Sequence, residues 1–140
     1  MSTTDSAASR DAPVSTTPLR PRFDFEKLEV YQVAIQAITS CDGCLAELPT
    51  GRGYLRDQLR RAALSIANNI AEGAGEFSRG DKARFYRMAR RSATECGAAL
   101  GAAVAVGVLN ADAVDPTRKL LARTVAMLTR LVQRFERGSG

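Results

Sequence analysis

Cysteine is the residue type in this chain that could support redox or metal chemistry, and two of the three cysteines form the motif Cys41-Asp-Gly-Cys44. Redox motifs of this form sit at the N-terminus of a helix, where the helix dipole lowers the thiol pKa. Here the helix predicted around the motif ends soon after it, so the dipole has the opposite sign. Cys96 could add only a third soft ligand, and the chain has no histidine to complete a zinc site. The spacing therefore argues against a metal or redox centre.

Acid–base and nucleophilic catalysis also lack their usual residues. Without histidine the chain has neither the commonest general base nor the usual switch near neutral pH. The glycine-rich stretch Gly73-Ala-Gly-Glu-Phe-Ser-Arg-Gly80 precedes a predicted helix, a place where anions can bind. It lacks the Lys-Ser/Thr ending of a phosphate-binding loop, and we interpret it as a helix cap. The sequence predicts a protein without catalytic residues, cofactor or metal.

Arginine carries the strongest remaining chemical signal. The chain has 17 Arg and 3 Lys, and its formal net charge is +5. The guanidinium fork suits phosphate and carboxylate partners. On a helical wheel, basic side chains form two stripes opposite the apolar faces of the third and fourth predicted helices. The first stripe is Arg84, Arg87 and Arg91, and the second is Arg123, Arg130, Arg134 and Arg137.

These stripes allow two interpretations. They could contact nucleic-acid phosphates, with little sequence preference because no base-reading motif is present. Alternatively, they could form a solvated face, or pair with acidic groups on the first helix of a neighbouring subunit.

A second polar set lies within the second and third predicted helices. Its members are Arg60, Arg61, Asn69, Glu72, Ser92 and Glu95. A buried carboxylate needs a cationic partner, and a buried Asn needs its amide satisfied. We expect Arg61 and Glu95 to form such a pair, and Asn69 to bond the adjacent loop or the third helix. The set is interpreted as a structural network that fixes helix register, in which losing either charge should cost about 1–4 kcal/mol.

Four segments have helical periodicity, and none alternates as a strand would. The first three cover residues 24–47, 53–72 and 79–108, and Ser78 with Asp81 forms a capping box before the third. Asp115-Pro116 is the predicted start of the fourth, with Asn110 as an alternative start. Short connections predict an all-α protein, an antiparallel up-down-up-down four-helix bundle over residues 23–137.

The remaining residues, 1–22, are rich in Ser, Thr and Pro, and we predict a disordered tail there because little of it can be buried. The composition, 45% apolar and 25% charged, is typical of a soluble globular chain. No secretory signal precedes the bundle, and the longest weakly polar run, residues 97–109, is too short to span a bilayer. We therefore expect a cytoplasmic protein without a membrane partner.

The first two predicted helices each carry a second apolar stripe. In the first helix, the main face is Leu28, Tyr31, Ile35, Ile38 and Leu45, and the opposite stripe is Val30, Val33, Ala37 and Cys44. In the second helix, Leu64, Ala67 and Ala71 lie behind Ile66. Since a bundle helix has one inner face, a second stripe predicts contact with another copy of the chain, which Val33→Asp or Leu64→Asp should disrupt. The alternative is scattered exposure of small apolar residues.

Three runs of sequence carry a family resemblance. They are Phe25-Glu-Lys-Leu-Glu-Val-Tyr31, Gln58-Leu-Arg-Arg-Ala-Ala-Leu-Ser-Ile-Ala-Asn-Asn-Ile-Ala-Glu-Gly73 and Asp81-Lys-Ala-Arg-Phe-Tyr-Arg-Met-Ala-Arg-Arg-Ser-Ala-Thr-Glu95. Over about residues 23–135 the chain resembles the four-helix-bundle family named for intervening sequences of large-subunit ribosomal RNA. It is also similar to the accessory proteins of diversity-generating retroelements. The chain departs from the family pattern at Glu76, where a basic residue is usual, and at Arg91, where Gly is usual.

The resemblance implies an antiparallel bundle, assembly into a ring (a homopentamer) and no enzymatic activity. It also implies a basic surface that binds nucleic acid or a reverse transcriptase. The working hypothesis is a non-enzymatic oligomeric bundle that binds RNA, DNA or a nucleoprotein partner through its arginines. The alternative is a purely structural or adaptor homo-oligomer, in which the arginines form ion pairs between subunits.

Overall fold

The structure is a computed structural model that describes residues 17–137. A short 3-10 turn, Asp24–Lys27, leads into four α-helices. They are α1 (Glu29–Ala46), α2 (Gly53–Gly75), α3 (Arg79–Ala105) and α4 (Ala111–Glu136). The described residues contain no strand, so the predicted all-α class is confirmed. Among them, no helix combines the length and the apolar character that a membrane span requires.

Residues 1–16 of the predicted tail lie outside the residues that the structure describes. Residues 17–22 are exposed and belong to no helix. The segment predicted as one helix from residue 24 is divided at Leu28, whose backbone is extended. Glu26 closes the turn before it: its Oε1 accepts hydrogen bonds from the backbone N–H groups of Arg22 and Phe23. These bonds lower the pKa of the Glu26 carboxyl.

Each helix packs against two neighbours: α1 and α3 both contact α2 and α4. Hydrogen bonds across the helix pairs join the beginning of one helix to the end of the other. The pairs are Lys82 with Gly73, Arg79 with Arg137, and Ser40 with Thr117. This is the order that an antiparallel arrangement predicts.

The core is built from aliphatic and small side chains. The largest fully buried ones include Ile66 and Ile70 of α2, Leu100 of α3 and Leu128 of α4. All four lie on the faces that the periodicity assigns to the interior. Alanines and cysteines fill much of the remaining space, so the helices can approach one another closely.

The inner face of α1 is the one that the sequence assigned to a partner chain. Val33 is only 3% exposed and Val30 is also buried, whereas Ile35 of the expected inner face is 38% exposed. The oligomer contact predicted from this stripe is therefore wrong. In a core of small side chains, the valines, alanines and cysteines of α1 fit the interior, while the bulkier Tyr31 and Ile38 cover its edge.

The fourth helix begins at Ala111, not at Asp115, so the alternative start is the correct one. Asn110 caps it, since its side-chain oxygen accepts a hydrogen bond from the backbone N–H of Asp112 at 2.8 Å. Pro116 consequently lies inside the helix. The extra turn buries Val114, whereas Pro116 has no backbone N–H to donate to the preceding turn.

Helices α2 and α3 approach closely at Gly73. A Cβ atom there would lie 2.9 Å from Cε1 of the buried Tyr86 ring. Gly73→Ala is expected to lower the free energy of unfolding by about 1–3 kcal/mol in chemical denaturation, because the ring has little room to move. Gly101→Ala is the matched control in α3, where a Cβ meets nothing within 4 Å. Gly101→Ala should raise the free energy of unfolding by about 1 kcal/mol, because Ala has the higher helix propensity. An equal rise for Gly73→Ala would contradict the close contact between Gly73 and Tyr86.

Candidate nucleic-acid interface

Four arginines of α3 line one groove on the surface of the bundle. Arg84, Arg87, Arg90 and Arg91 lie within eight consecutive residues of the helix, and α4 contributes Val125 to the same groove. The groove has a volume of about 520 Å³. The predicted stripe on α3 is thus part of a concave surface, which we call the α3 groove. Such a surface can place several guanidinium groups around one anionic strand.

Arg90 belongs to this groove although the helical wheel left it out of the stripe. It points toward α4, where its Nη1 donates to Oγ1 of Thr129 at 3.4 Å. The predicted stripe contained only residues on the side of α3 opposite the core. Arg90 was missed because it lies on the flank of α3 that faces α4. The run Arg90-Arg91 was the available signal, since consecutive helical residues cover about 100° of the surface.

Ion pairs within the chain neutralise only part of the charge in the α3 groove. Arg87 Nη1 lies 2.6 Å from Oε1 of Glu136, and Arg84 Nε lies 4.0 Å from Oδ1 of Asp81. Among the described residues, neither Arg90 nor Arg91 has an acidic partner within 4.0 Å. The groove therefore retains a net positive charge, even though the carboxylate of Glu95 also lines it.

The stripe on α4 lies on a different groove. Arg130 and Arg134 line a cleft of about 310 Å³ between α1 and α4, together with Glu29. Nearby, Arg123 Nη2 lies 3.4 Å from Oε1 of Glu29. Arg123 of this stripe thus forms an ion pair with the first helix of its own chain, where the sequence suggested a pair with a neighbouring subunit. Arg137 follows the last turn of α4 and is exposed.

A polar network joins α2 and α3, with Ser65 at its centre. Asn69 Nδ2 donates to the backbone oxygen and to Oγ of Ser65, at 2.9 and 3.0 Å. Ser92 of α3 donates to the same Oγ at 2.8 Å. Ser92 therefore joins α3 to α2. The Asn69 amide instead bonds within its own helix, one turn back, and not to the adjacent loop or the third helix as expected. Ser65 was missed, although it lies one turn before Asn69 on the same side of α2.

The other four members of the predicted polar set lie on the surface: Arg60, Arg61, Glu72 and Glu95 are exposed. No ion pair within the chain joins Arg61 to Glu95, so the expected buried pair is wrong. Where α2 and α3 meet through Ser, Ala and Gly, the space between them is too small for long charged side chains. These side chains extend into water from the rim of the contact.

Replacing the exposed charges should therefore leave stability nearly unchanged. Arg61→Ala and Glu95→Ala are each expected to shift the free energy of unfolding by no more than about 0.5 kcal/mol. Ser92→Ala is the internal comparison, because it removes the donor to Ser65 and should cost about 1 kcal/mol. Thermal and chemical denaturation measure all three. A loss above 1 kcal/mol for either charge variant would contradict the exposed placement.

The three cysteines are buried and free. A hydrogen bond between the thiols of Cys41 and Cys96 lowers the pKa of Cys41 and raises that of Cys96, and burial adds to the second shift. Cys44 Sγ lies 3.4 Å from Oγ1 of Thr117. Within residues 17–137, no group of three or more Cys, Asp or Glu side chains is placed to hold a metal ion.

Comparison with protein-family models finds a match to the model described as 23S rRNA-intervening sequence protein, over residues 26–130. The matched span runs from the 3-10 turn through most of α4 and includes the whole α3 groove. No curated protein matches the chain.

Proposed function

Since the chain belongs to the 23S rRNA-intervening sequence protein family, we propose that it is a non-enzymatic protein that binds nucleic-acid phosphates through the α3 groove. One observation carries the proposal: four guanidinium groups line a single concave surface, and two of them have no acidic partner. The description of the family refers to ribosomal RNA, so RNA is the first ligand to test. DNA offers the same phosphate chemistry.

Binding at the α3 groove works through charge and shape rather than base readout. Arg91 is free to form a bidentate contact with a phosphate, and Arg84 can do so by leaving a weak 4.0 Å partner. Arg87 must exchange Glu136 for a phosphate, so Glu136 moderates the affinity of the groove. Each contact releases condensed counterions from the nucleic acid, which makes binding strongly dependent on salt.

The experiment is a titration of labelled single- and double-stranded RNA and DNA with the protein, by fluorescence anisotropy. Four phosphate contacts predict a loss of affinity of about 100-fold for duplexes between about 50 and 200 mM salt. Affinity should differ little among unrelated sequences, because phosphate contacts carry no sequence information. Absence of binding at the lower salt concentration would refute the proposal.

A second candidate function, an oligomeric adaptor, has its own supporting observation. Leu64 on the outer side of α2 is 60% exposed, and Tyr54 and Met88 are also exposed. Large apolar side chains in water favour contact with another chain. We propose a homo-oligomer, the pentameric ring that the resemblance implies, whose subunits each present an α3 groove. In the adaptor alternative, the grooves contact acidic groups of a protein partner, such as a reverse transcriptase, instead of phosphates.

A further inference from the structure

The link between α2 and α3 presents a bare aromatic ring to water. Phe77 lies in the segment Glu76-Phe77-Ser78 and is fully exposed. Among the described residues, no aromatic pair and no cation–π contact involves its ring. Both faces of the ring are therefore available to a ligand. Such exposure adds nothing to the stability of the bundle, because burial is what makes an apolar side chain stabilising.

Phe77 lies in the link directly before α3, the helix that carries the arginines of the α3 groove. It precedes Arg79, the first residue of α3, by two positions, and Arg84 lies about 7–8 Å from Arg79 along the helix axis, at 1.5 Å per residue. The guanidinium of Arg84 lies over the ring of its neighbour Phe85, with its carbon 4.5 Å from the ring centroid. This contact supplies a second flat group between Phe77 and the remaining arginines.

The first two basic residues after Phe77 along the chain, Arg79 and Lys82, are already engaged in the fold. Lys82 Nζ donates to the carbonyl oxygens of Gly73 and Ala74 at the end of α2. The guanidinium of Arg79 donates to backbone oxygens at the end of α4. Glu76, which precedes Phe77, adds a negative charge to the link. The link is therefore poorly suited to hold a phosphate and well suited to hold something planar and uncharged, while phosphate contacts begin at Arg84.

We propose that Phe77 stacks on an unpaired base of the strand whose phosphates lie along the α3 groove. The inference rests on the proposed function and makes single-stranded nucleic acid its preferred ligand, since a duplex can make only the phosphate contacts. In a duplex the base faces are covered by their neighbours and cannot reach an exposed ring. In a single strand they can stack on an aromatic side chain, and this contact tolerates any base.

The test compares Phe77→Ala, Phe77→Leu and Phe77→Tyr with the wild type, on a single-stranded RNA and on a duplex of the same sequence at low salt. Phe77→Ala and Phe77→Leu should each weaken single-strand binding about tenfold, the scale of one base stacked on an aromatic ring. Phe77→Tyr retains the π face and should bind as the wild type does. Duplex affinity should be the same for all four proteins.

Three results would overturn the stacking role. The first is unchanged single-strand binding by Phe77→Ala, which refutes stacking and leaves binding through the α3 groove intact. The second is an equal loss on the single strand and on the duplex, which makes the effect independent of base exposure. The third is a smaller particle mass for Phe77→Ala in light scattering with RNA binding unchanged, which assigns the ring to a protein contact. Failure of the wild type to bind either RNA refutes both proposals together.

Discussion

Replacing Arg84 and Arg91 together by Glu is expected to lower the affinity for RNA about 100-fold at about 50 mM salt. The two positions are seven residues apart in α3, and both side chains are exposed on the α3 groove. Reversal removes two phosphate contacts and adds two repulsive charges to a surface that already contains Glu95. The fold should be unaffected, since the removed ion pair with Asp81 is exposed and spans 4.0 Å. Fluorescence anisotropy measures the affinity, and circular dichroism checks the fold.

A double reversal of Arg60 and Arg118 is the matched control. Both residues are exposed and line neither groove, and the change in net charge is the same as for the Arg84 and Arg91 variant. A local site predicts a much smaller loss for this control. Equal losses in the two variants would show that binding depends on overall charge alone. Reversing Arg130 and Arg134 measures separately what the cleft between α1 and α4 contributes.

The second large effect is expected at Val33. Val33→Asp should destabilise the chain by about 3–5 kcal/mol, the range for a buried charge left without a partner. Val33 is enclosed within its own bundle at 3% exposure, so the carboxylate would lie among the side chains of the core. Chemical denaturation measures the loss, and expression of an unfolded variant would be its extreme form.

Leu64→Asp is the matched comparison, because Leu64 lies on the outer side of α2. It should change the free energy of unfolding of the isolated chain by no more than about 0.5 kcal/mol. If Leu64 contributes to an oligomer, the variant should have a smaller particle mass in light scattering while remaining folded. A folded Val33→Asp variant that merely dissociates would contradict the placement of Val33 in the core.

A helix of the bundle could be predicted where two independent signals in the sequence agree. Helices α2, α3 and α4 each combine a periodic apolar face with capping or terminating residues, and their inner faces contain Ile66, Leu100 and Leu128 as predicted. For α1 the periodicity offered two apolar faces, and side-chain size pointed to the wrong one. Which face is internal depends on the space that the neighbouring helices leave, and a helical wheel holds no information about that space.

The site could be predicted only in part, for a related reason. The stripe Arg84, Arg87 and Arg91 was found because charged residues opposite an apolar face must be exposed. Arg90 shares the groove of this stripe, whereas Arg130 and Arg134 face a separate cleft. Both facts depend on which helices are neighbours. The expected pair of Arg61 with Glu95 failed because the sequence does not reveal how closely α2 and α3 approach.

The salt dependence of binding shows whether Arg84 and Arg91 contact phosphates, when the wild type is compared with the double reversal. The logarithm of the affinity for a single-stranded RNA is plotted against the logarithm of the salt concentration for both proteins. Each phosphate contact on a single strand contributes about 0.7 to the slope, so losing two contacts should make the line of the variant shallower by about 1.4. Two parallel lines would contradict the claim that these arginines of the α3 groove contact phosphates.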